Sequence, residues 1–275
     1  MHRGIYEAAS GMLVQETHLD VITNNLANVD TPGYKRRISA TADFSALLDR
    51  IEKISEDGET KITTVLPADM PFKGREVIGS VALAAIFSED VMDTFPGVVK
   101  TSENPLDIAI DGQGFFAVAD ENDNRYYTRA GNFTLDGSGN IVNPNGLILQ
   151  GEGGALNVGN NARSIQINRS GQVIVTREDQ TEVIGRIALF NFERPTYLRQ
   201  NGNNLLTPTD QSGQPEDIEA ANVKIWSGML EASNVEVVTE MARMIEAQRI
   251  YEGASKALMT HDEQTSKLIT SFSRG

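Results

Sequence analysis

The sequence predicts a mostly β central domain, an irregular sandwich or barrel-like meander, between α-helices at the N and C termini. Three observations predict it. An apolar seam steps by three and four residues from Ile5, a second seam of the same kind ends at Phe272, and short β-rich runs separated by Gly, Asn and Asp turns lie between them. These signals divide the chain into a helix and turn (1–38), an extended connector (39–100), the β domain (101–226) and a second helix (227–275).

The first helix places Ile5, Ala8, Met12, Gln15, Leu19, Ile22, Leu26 and Val29 on one seam, with Gln15 as its only polar break. At 1.5 Å per residue, residues 5 to 29 would extend about 37 Å, with an apolar face too narrow to stand alone. The helix runs into NNLANVDTPGYKR, residues 24–36. Asn24, Asn25 and Asn28 lie beside the last seam residues, where side-chain amides bond backbone or neighbouring-chain groups as the helix ends. Pro32 lacks an amide proton and stops the helix, and Gly33 turns the chain towards the connector.

The connector carries the weakest pattern. A charged patch from Asp49 to Lys61 reads as a helical turn or two, and Pro67, Pro71 and Pro96 with Gly74, Gly79 and Gly97 read as extended chain. Its apolar strip VIGSVALAAIF, residues 77–87, reads as a strand or two.

The central domain follows from LDIAI (106–110), GFFAVAD (114–120), RYYTRA (125–130), GNIVNP (139–144), LILQG (147–151), SIQIN (164–168), GQVIVTRE (171–178) and EVIGRIALFNF (182–192). No helix-length segment intervenes. The breaks at Asp111–Gly114, Asp136–Gly139 and Arg169–Gln172 place glycine where tight hairpins require positive φ.

In the second helix, Leu230, Asn234, Val237, Met241, Met244, Gln248, Tyr251, Ser255, Leu258, Asp262, Thr265, Ile269 and Phe272 keep the three-four alternation, widened by Val238, Ile245, Ala254 and Leu268. Ser227 reads as an N-cap, with Glu231 in the first turns where the helix dipole favours an acid. Two heptad-like seams at opposite termini predict a terminal coiled coil, formed within one chain or across chains.

Composition narrows the function. The 275 residues carry a net charge of −14 and no clustered Lys or Arg, so nucleic-acid binding is not expected. The absence of cysteine removes disulfides, thiolate nucleophiles and cysteine zinc sites together. No run of 18 apolar residues offers a membrane span, so membrane insertion is not expected. MHRGIYEAASGML lacks the continuous apolar core of a secretory signal, and export is expected without a cleaved one.

Candidate chemistry fails on spacing and context. Gly112-x-Gly114-x-x-Ala117 matches the letters of a dinucleotide fingerprint, but the residues after it continue as strand, whereas that motif must lead into a helix N-terminus. Asp120, Asn122 and Asn124 have calcium-loop spacing, yet Arg125 and Gly131 stand where such a loop wants Gly and Glu. His2, His18 and His261 fit no two-His metal spacing, and Glu16, Glu236, Glu240 and Glu246 read as exposed helix positions. No catalytic residue, metal or cofactor is expected.

What remains specific is an ordered set of segments. NNLANVDTPGYKR resembles the N-terminal signature of flagellar axial proteins of the rod and hook at Asn25, Leu26, Ala27, Asn28, Thr31, Pro32, Gly33 and Tyr34. PLDIAIDGQGFFAV and YTRAGNFTLDGSGNIV resemble the central β segments of that family. The C-terminal signature is matched at Gly228, Leu230, Glu231, Ser233, Asn234, Val235, Met241, Ile245 and Arg249, so the resemblance spans nearly the whole chain. A hook protein would carry a larger outer domain and the smallest rod proteins lack the β domain, which leaves the two longer rod members. GEGGALNV, IGRIALFNF and IWSGMLEASNV resemble the proximal-rod member, DGQGFFAV and EAQRIYE the distal one, and the proximal member is favoured, with a distal-rod or hook-like subunit as the alternative.

The resemblance implies a structural subunit of the basal-body rod, a hollow, periplasm-spanning drive shaft that transmits torque and passes exported subunits. It implies terminal helices that form a coiled-coil layer on assembly. The partners would be copies of itself, other rod proteins, the flagellar export apparatus and the rod cap, with type III export. The assembly surface is then expected at Ile5, Met12, Leu19, Ile22, Asn25, Leu26 and Asn28 and at Leu230, Asn234, Val237, Met241, Met244, Ile245, Tyr251 and Leu258, with Pro32 and Gly33 as the turn.

Overall fold

The two seams form the two long helices of the molecule, α1 (His2–Ala27) and α2 (Val237–Phe272). A computed structural model describes residues 2–43 and 85–272, apart from 121, 160–161, 178–179, 219–221 and 223. The chain divides into two compact units, one of residues 1–22, 39–90 and 242–275, the other of residues 23–38 and 91–241.

In the first unit, Val14 and Ile22 of α1 and Ala247 of α2 are buried, while Leu13, Ile245, Ile250, Met259 and Ile269 stand between 49 % and 66 % exposed. Apolar side chains in water on this scale mark helical surface that the single chain leaves uncovered. The His18 Nδ1 lies 2.8 Å from the Ser39 hydroxyl, so this histidine makes a local polar contact.

The second unit contains the β domain. Its central strand, Phe115–Ala119, is buried along its whole length and pairs antiparallel with Arg125–Thr128, Ile148–Gly151 and Leu189–Asn191. Because strand side chains alternate, it serves two cores at once. Phe116 and Val118 pack with Phe133, Ile141, Leu149, Val173 and Ile187, whereas Phe115 and Ala117 pack with Tyr127, Phe190, Phe192 and Leu206. Edge-to-face ring pairs fix both clusters, Phe116 on Phe133 at 5.5 Å and Tyr127 on Phe192 at 5.0 Å. A three-stranded meander, Ser164–Ile167, Gln172–Arg177 and Gln180–Arg186, completes the main body.

Tight turns are closed by their own side chains. Asp120 accepts from the N–H groups of Asn122 and Asn124, Asp136 from those of Ser138 and Asn140, and Asn168 from those of Ser170 and Gln172. The Asp120 hairpin spends its acid on this closure.

All eight central segments read as strand contain strand, but three expectations change. The ladders form several sheets and no closed barrel among the described residues. The C-terminal helix starts at Val237 rather than near residue 227, because Ile225–Ser227 pairs with Ile108–Ile110 and Met229–Glu231 pairs with Val99–Thr101. Gly228, at φ 70°, turns the chain between those two strands, and the Ser227 hydroxyl donates to the Pro105 carbonyl instead of capping a helix. Leu230 and Asn234 therefore lie before the helical seam, and Val29 falls just past the end of α1, in the turn. Third, the connector is bounded by a two-stranded sheet of Arg37–Asp43 and Ala85–Met92. The 49–61 patch, Pro67, Pro71 and most of the 77–87 strip lie outside the described residues.

Candidate functional site

The last turn of α1, the turn after it, and the segment leading into α2 meet in the second unit as one buried polar junction. Asn25 is 1 % exposed and fully used. Its Oδ1 accepts from the Arg37 N–H at 2.9 Å and from the Tyr34 hydroxyl at 3.1 Å. Its Nδ2 donates to the Arg37 carbonyl at 2.8 Å and to Glu240 Oε2 at 3.4 Å. The side-chain amide thus pairs with the backbone of residue 37 as a neighbouring strand would.

Asn28 ends α1. Its Nδ2 donates to the Asn24 carbonyl at 2.8 Å and its Oδ1 accepts from the Thr31 hydroxyl at 3.2 Å, so helix end and turn are stitched together. Gly33 follows at φ 66°, with its N–H on the Glu231 carbonyl at 2.7 Å. A Cβ there would collide with the backbone of Arg129 and Ala130, so both the conformation and the close approach require glycine.

Beneath this turn lies a buried charge triad. Glu231, 2 % exposed, accepts from Lys35 Nζ and Arg129 Nε, each at 2.6 Å, and from the Gly97 N–H at 3.0 Å. Lys35 also donates to the Phe95 carbonyl at 2.8 Å. Arg129 directs its remaining donors to the carbonyls of Ile110, Gly112 and Gly114. The Asp111–Gly114 loop, whose glycines match a nucleotide fingerprint, is shaped around an arginine of its own chain and leads into the strand Phe115–Ala119. Burial alone would raise the Glu231 carboxyl, but Arg129 and Lys35 beside it, with the Lys35 and Gly97 hydrogen bonds, hold it below the usual carboxylate range. Burial also pushes the Lys35 ammonium below its ordinary value, against the pull of Glu231.

Asn234 closes the junction from the C-terminal side. Its Oδ1 accepts from the Arg36 N–H at 2.6 Å, and its Nδ2 donates to the carbonyls of Asp93 and Phe95, both at 3.1 Å. Arg36 bonds Asp93 at 2.9 Å and lies 3.7 Å from Glu240. Glu240, read from the sequence as a solvated helix position, is 1 % exposed and belongs to this network.

The expected assembly residues fall into two sets. Asn25, Asn28 and Asn234, with Pro32 and Gly33, belong to the junction, where Pro32 offers its carbonyl to Asn204 at 2.9 Å. On the helices Ile22 is buried, and Met12, Leu19, Leu26, Met244, Tyr251 and Leu258 are half-buried. Val237, Met241 and Ile245 are 40 %, 51 % and 50 % exposed, and Leu230 is half-buried in its strand. Ile5 lies within α1. The covered line of α2 runs instead through Glu240, Met244, Ala247, Tyr251 and Leu258.

Sequence reasoning missed Tyr34, Lys35, Arg129 and Glu240 as members of the junction. Only Arg129 left a local trace, sharing strand parity with the buried Tyr127 where an apolar residue belongs. Among the described residues no cluster of three or more His, Asp or Glu is placed to hold a metal, and no helix is long and apolar enough to cross a membrane.

Three family descriptions match along the chain. Flagella basal body rod protein covers residues 5–35, Flagellar hook protein FlgE/F/G D1 domain covers 109–175, and Flagellar basal body rod FlgEFG protein C-terminal covers 227–271. The chain is 34 % identical over 272 residues to the flagellar basal-body rod protein FlgG of Agrobacterium fabrum, covering 96 % of this chain and 97 % of that one. FlgG of Caulobacter vibrioides is 34 % identical over 263 residues, covering 93 % and 94 %, and FlgG of Bacillus subtilis is 34 % identical over 279 residues, covering 98 % of both. The first and third matches contain the two halves of the junction, residues 25–35 and 231–240.

Proposed function

The chain belongs to the flagellar basal-body rod protein family and is a structural subunit of that rod, and on this premise we propose how its parts divide the work. The junction joins the inner ends of both helices to the β body within each subunit. The apolar seams of α1 and α2 pack against other copies and other rod proteins, forming a coiled-coil layer around a channel through which exported subunits pass, and the β body forms the outer layer that carries torque between neighbours.

One observation carries this reading. The two terminal motifs are each other's partners inside the chain, while α2 beyond them leaves Met241, Ile245, Ile250, Met259 and Ile269 uncovered. A fold that satisfies its buried polar groups and leaves a helical seam bare is built to be completed by other subunits. An isolated amphipathic helix buries too little to offset its ordering entropy, so assembly supplies the partner and guards against premature polymerisation. Export unfolded through the flagellar type III apparatus without a cleaved signal, contact with the rod cap, a periplasm-spanning location and the absence of catalysis belong to the same proposal.

Electron microscopy of basal bodies tests it. A strain lacking the chain is expected to build no complete rod and to regain it on complementation, whereas complete rods in the deletion strain would contradict the reading. Locating a labelled subunit along those rods tests the expectation of a proximal position.

A further inference from the structure

We propose that the amide-lined cleft beside the 31–33 turn seats an extended main-chain segment of an adjacent copy of this chain. The inference rests on the rod reading and adds to it a contact outside the helical seams. The cleft has a volume of about 480 Å³, inside the range of about 300–1,000 Å³ typical of ligand pockets. Asn132, Gln200 and Asn203 line it with side-chain amides that have no partner among the described residues. Asn143, only 5 % exposed, uses its Oδ1 to cap the N–H groups of Asn145 and Leu147 and leaves its Nδ2 without an acceptor among the described residues. A nearly buried donor left unpaired at the wall of a cleft calls for an acceptor from outside.

The chemistry of the lining selects the ligand. Apart from Arg37 it carries no charge, and no aromatic ring lines it, so neither a polyanion nor a stacking sugar or base finds its usual platform. A primary amide offers a carbonyl acceptor beside N–H donors, the complement of a peptide group. This chain already uses asparagine in that way twice, Asn25 on the N–H and C=O of Arg37 and Asn234 on the backbone of residues 36, 93 and 95. Asn203 and Asn204 hold the rim at φ 48° and 58°, a left-handed backbone found most often at sites where geometry serves a contact. The occupant is a second copy because Asn24 and Asn28 of α1 also line the cleft, making it continuous with the helical surface that copies are proposed to share.

The test places photoreactive benzoylphenylalanine at position 132 of the full chain and irradiates the assembled polymer. The expected product is a covalent dimer whose joined peptide maps to a second copy. A polymer that forms and gives no intermolecular adduct overturns the cleft proposal and leaves the rod reading standing. In basal bodies, an adduct only to a different protein or to a glycan overturns the assignment to a second copy. Failure of the unmodified chain to polymerise contradicts the rod reading, and the proposal falls with it. The Asn132→Ala/Gln200→Ala variant supplies a second readout. It is expected to melt as the parent does and to need about tenfold more protein to polymerise, the effect of losing one or two net hydrogen bonds. Unchanged polymerisation of that variant overturns the proposal.

Discussion

The junction and the outer stretch of α2 use adjoining parts of one region of sequence in opposite ways. From Glu231 to Glu240 the chain buries charge and amide groups and satisfies them internally, so this part completes the fold of a single subunit. From Met241 to Ile269 the same three-four rhythm leaves apolar side chains in water, so that part completes nothing until something else arrives. The difference teaches that periodicity alone does not say whether a residue serves the fold or the assembly. Burial and the satisfaction of polar groups do.

The largest expected effect comes from breaking the triad. Glu231→Ala leaves Lys35 and Arg129 as uncompensated buried cations and should cost about 3–5 kcal/mol of stability by urea denaturation. Next comes the turn, where Gly33→Ala forces a left-handed backbone costing about 1–3 kcal/mol before the collision with residues 129–130 is counted. Asn25→Ala strips the partners from both backbone groups of Arg37 and should cost about 1–3 kcal/mol, read from the shift in melting temperature. Acid sharpens the same point. The folded Glu231 carboxyl lies below its ordinary 4.5, so the triad's contribution is complete above that value and is lost as pH falls through the lower folded value. The parent should therefore lose more stability on acidification than Glu231→Gln, in which position 231 no longer titrates. At the other end of the comparison, Ile245→Asp or Met259→Asp should change monomer stability by no more than about 0.5 kcal/mol, as at other exposed positions, while impairing polymerisation.

How much of this was legible varies by element, for physical reasons. The strands from 106 to 192 were readable because alternation and glycine turns are local signals, and the cores on both faces of Phe115–Ala119 follow from that alternation. The two- and three-residue strands between 199 and 231 were not, because they are too short to show a period and exist through pairing with distant partners such as Val99–Thr101. The same pairing explains the misplaced helix start. Leu230 and Asn234 continue the rhythm of α2, but Gly228 and the Glu231 triad hold that segment extended. Asn25 and Asn28 were readable as a helix end, and Asn25's choice of partner was not, since an amide cannot announce whether it will meet its own backbone or a neighbour. Lys35, Arg129 and Glu231 are far apart in sequence and meet only once the β body is folded.

The central claim is that the junction folds the subunit and the bare seam of α2 assembles it. Sedimentation velocity of the Ile245→Asp/Met259→Asp chain under conditions where the parent polymerises tests this most directly. The account predicts a folded protein with the parent's melting temperature that sediments as a monomer. A variant that polymerises as the parent does would contradict it.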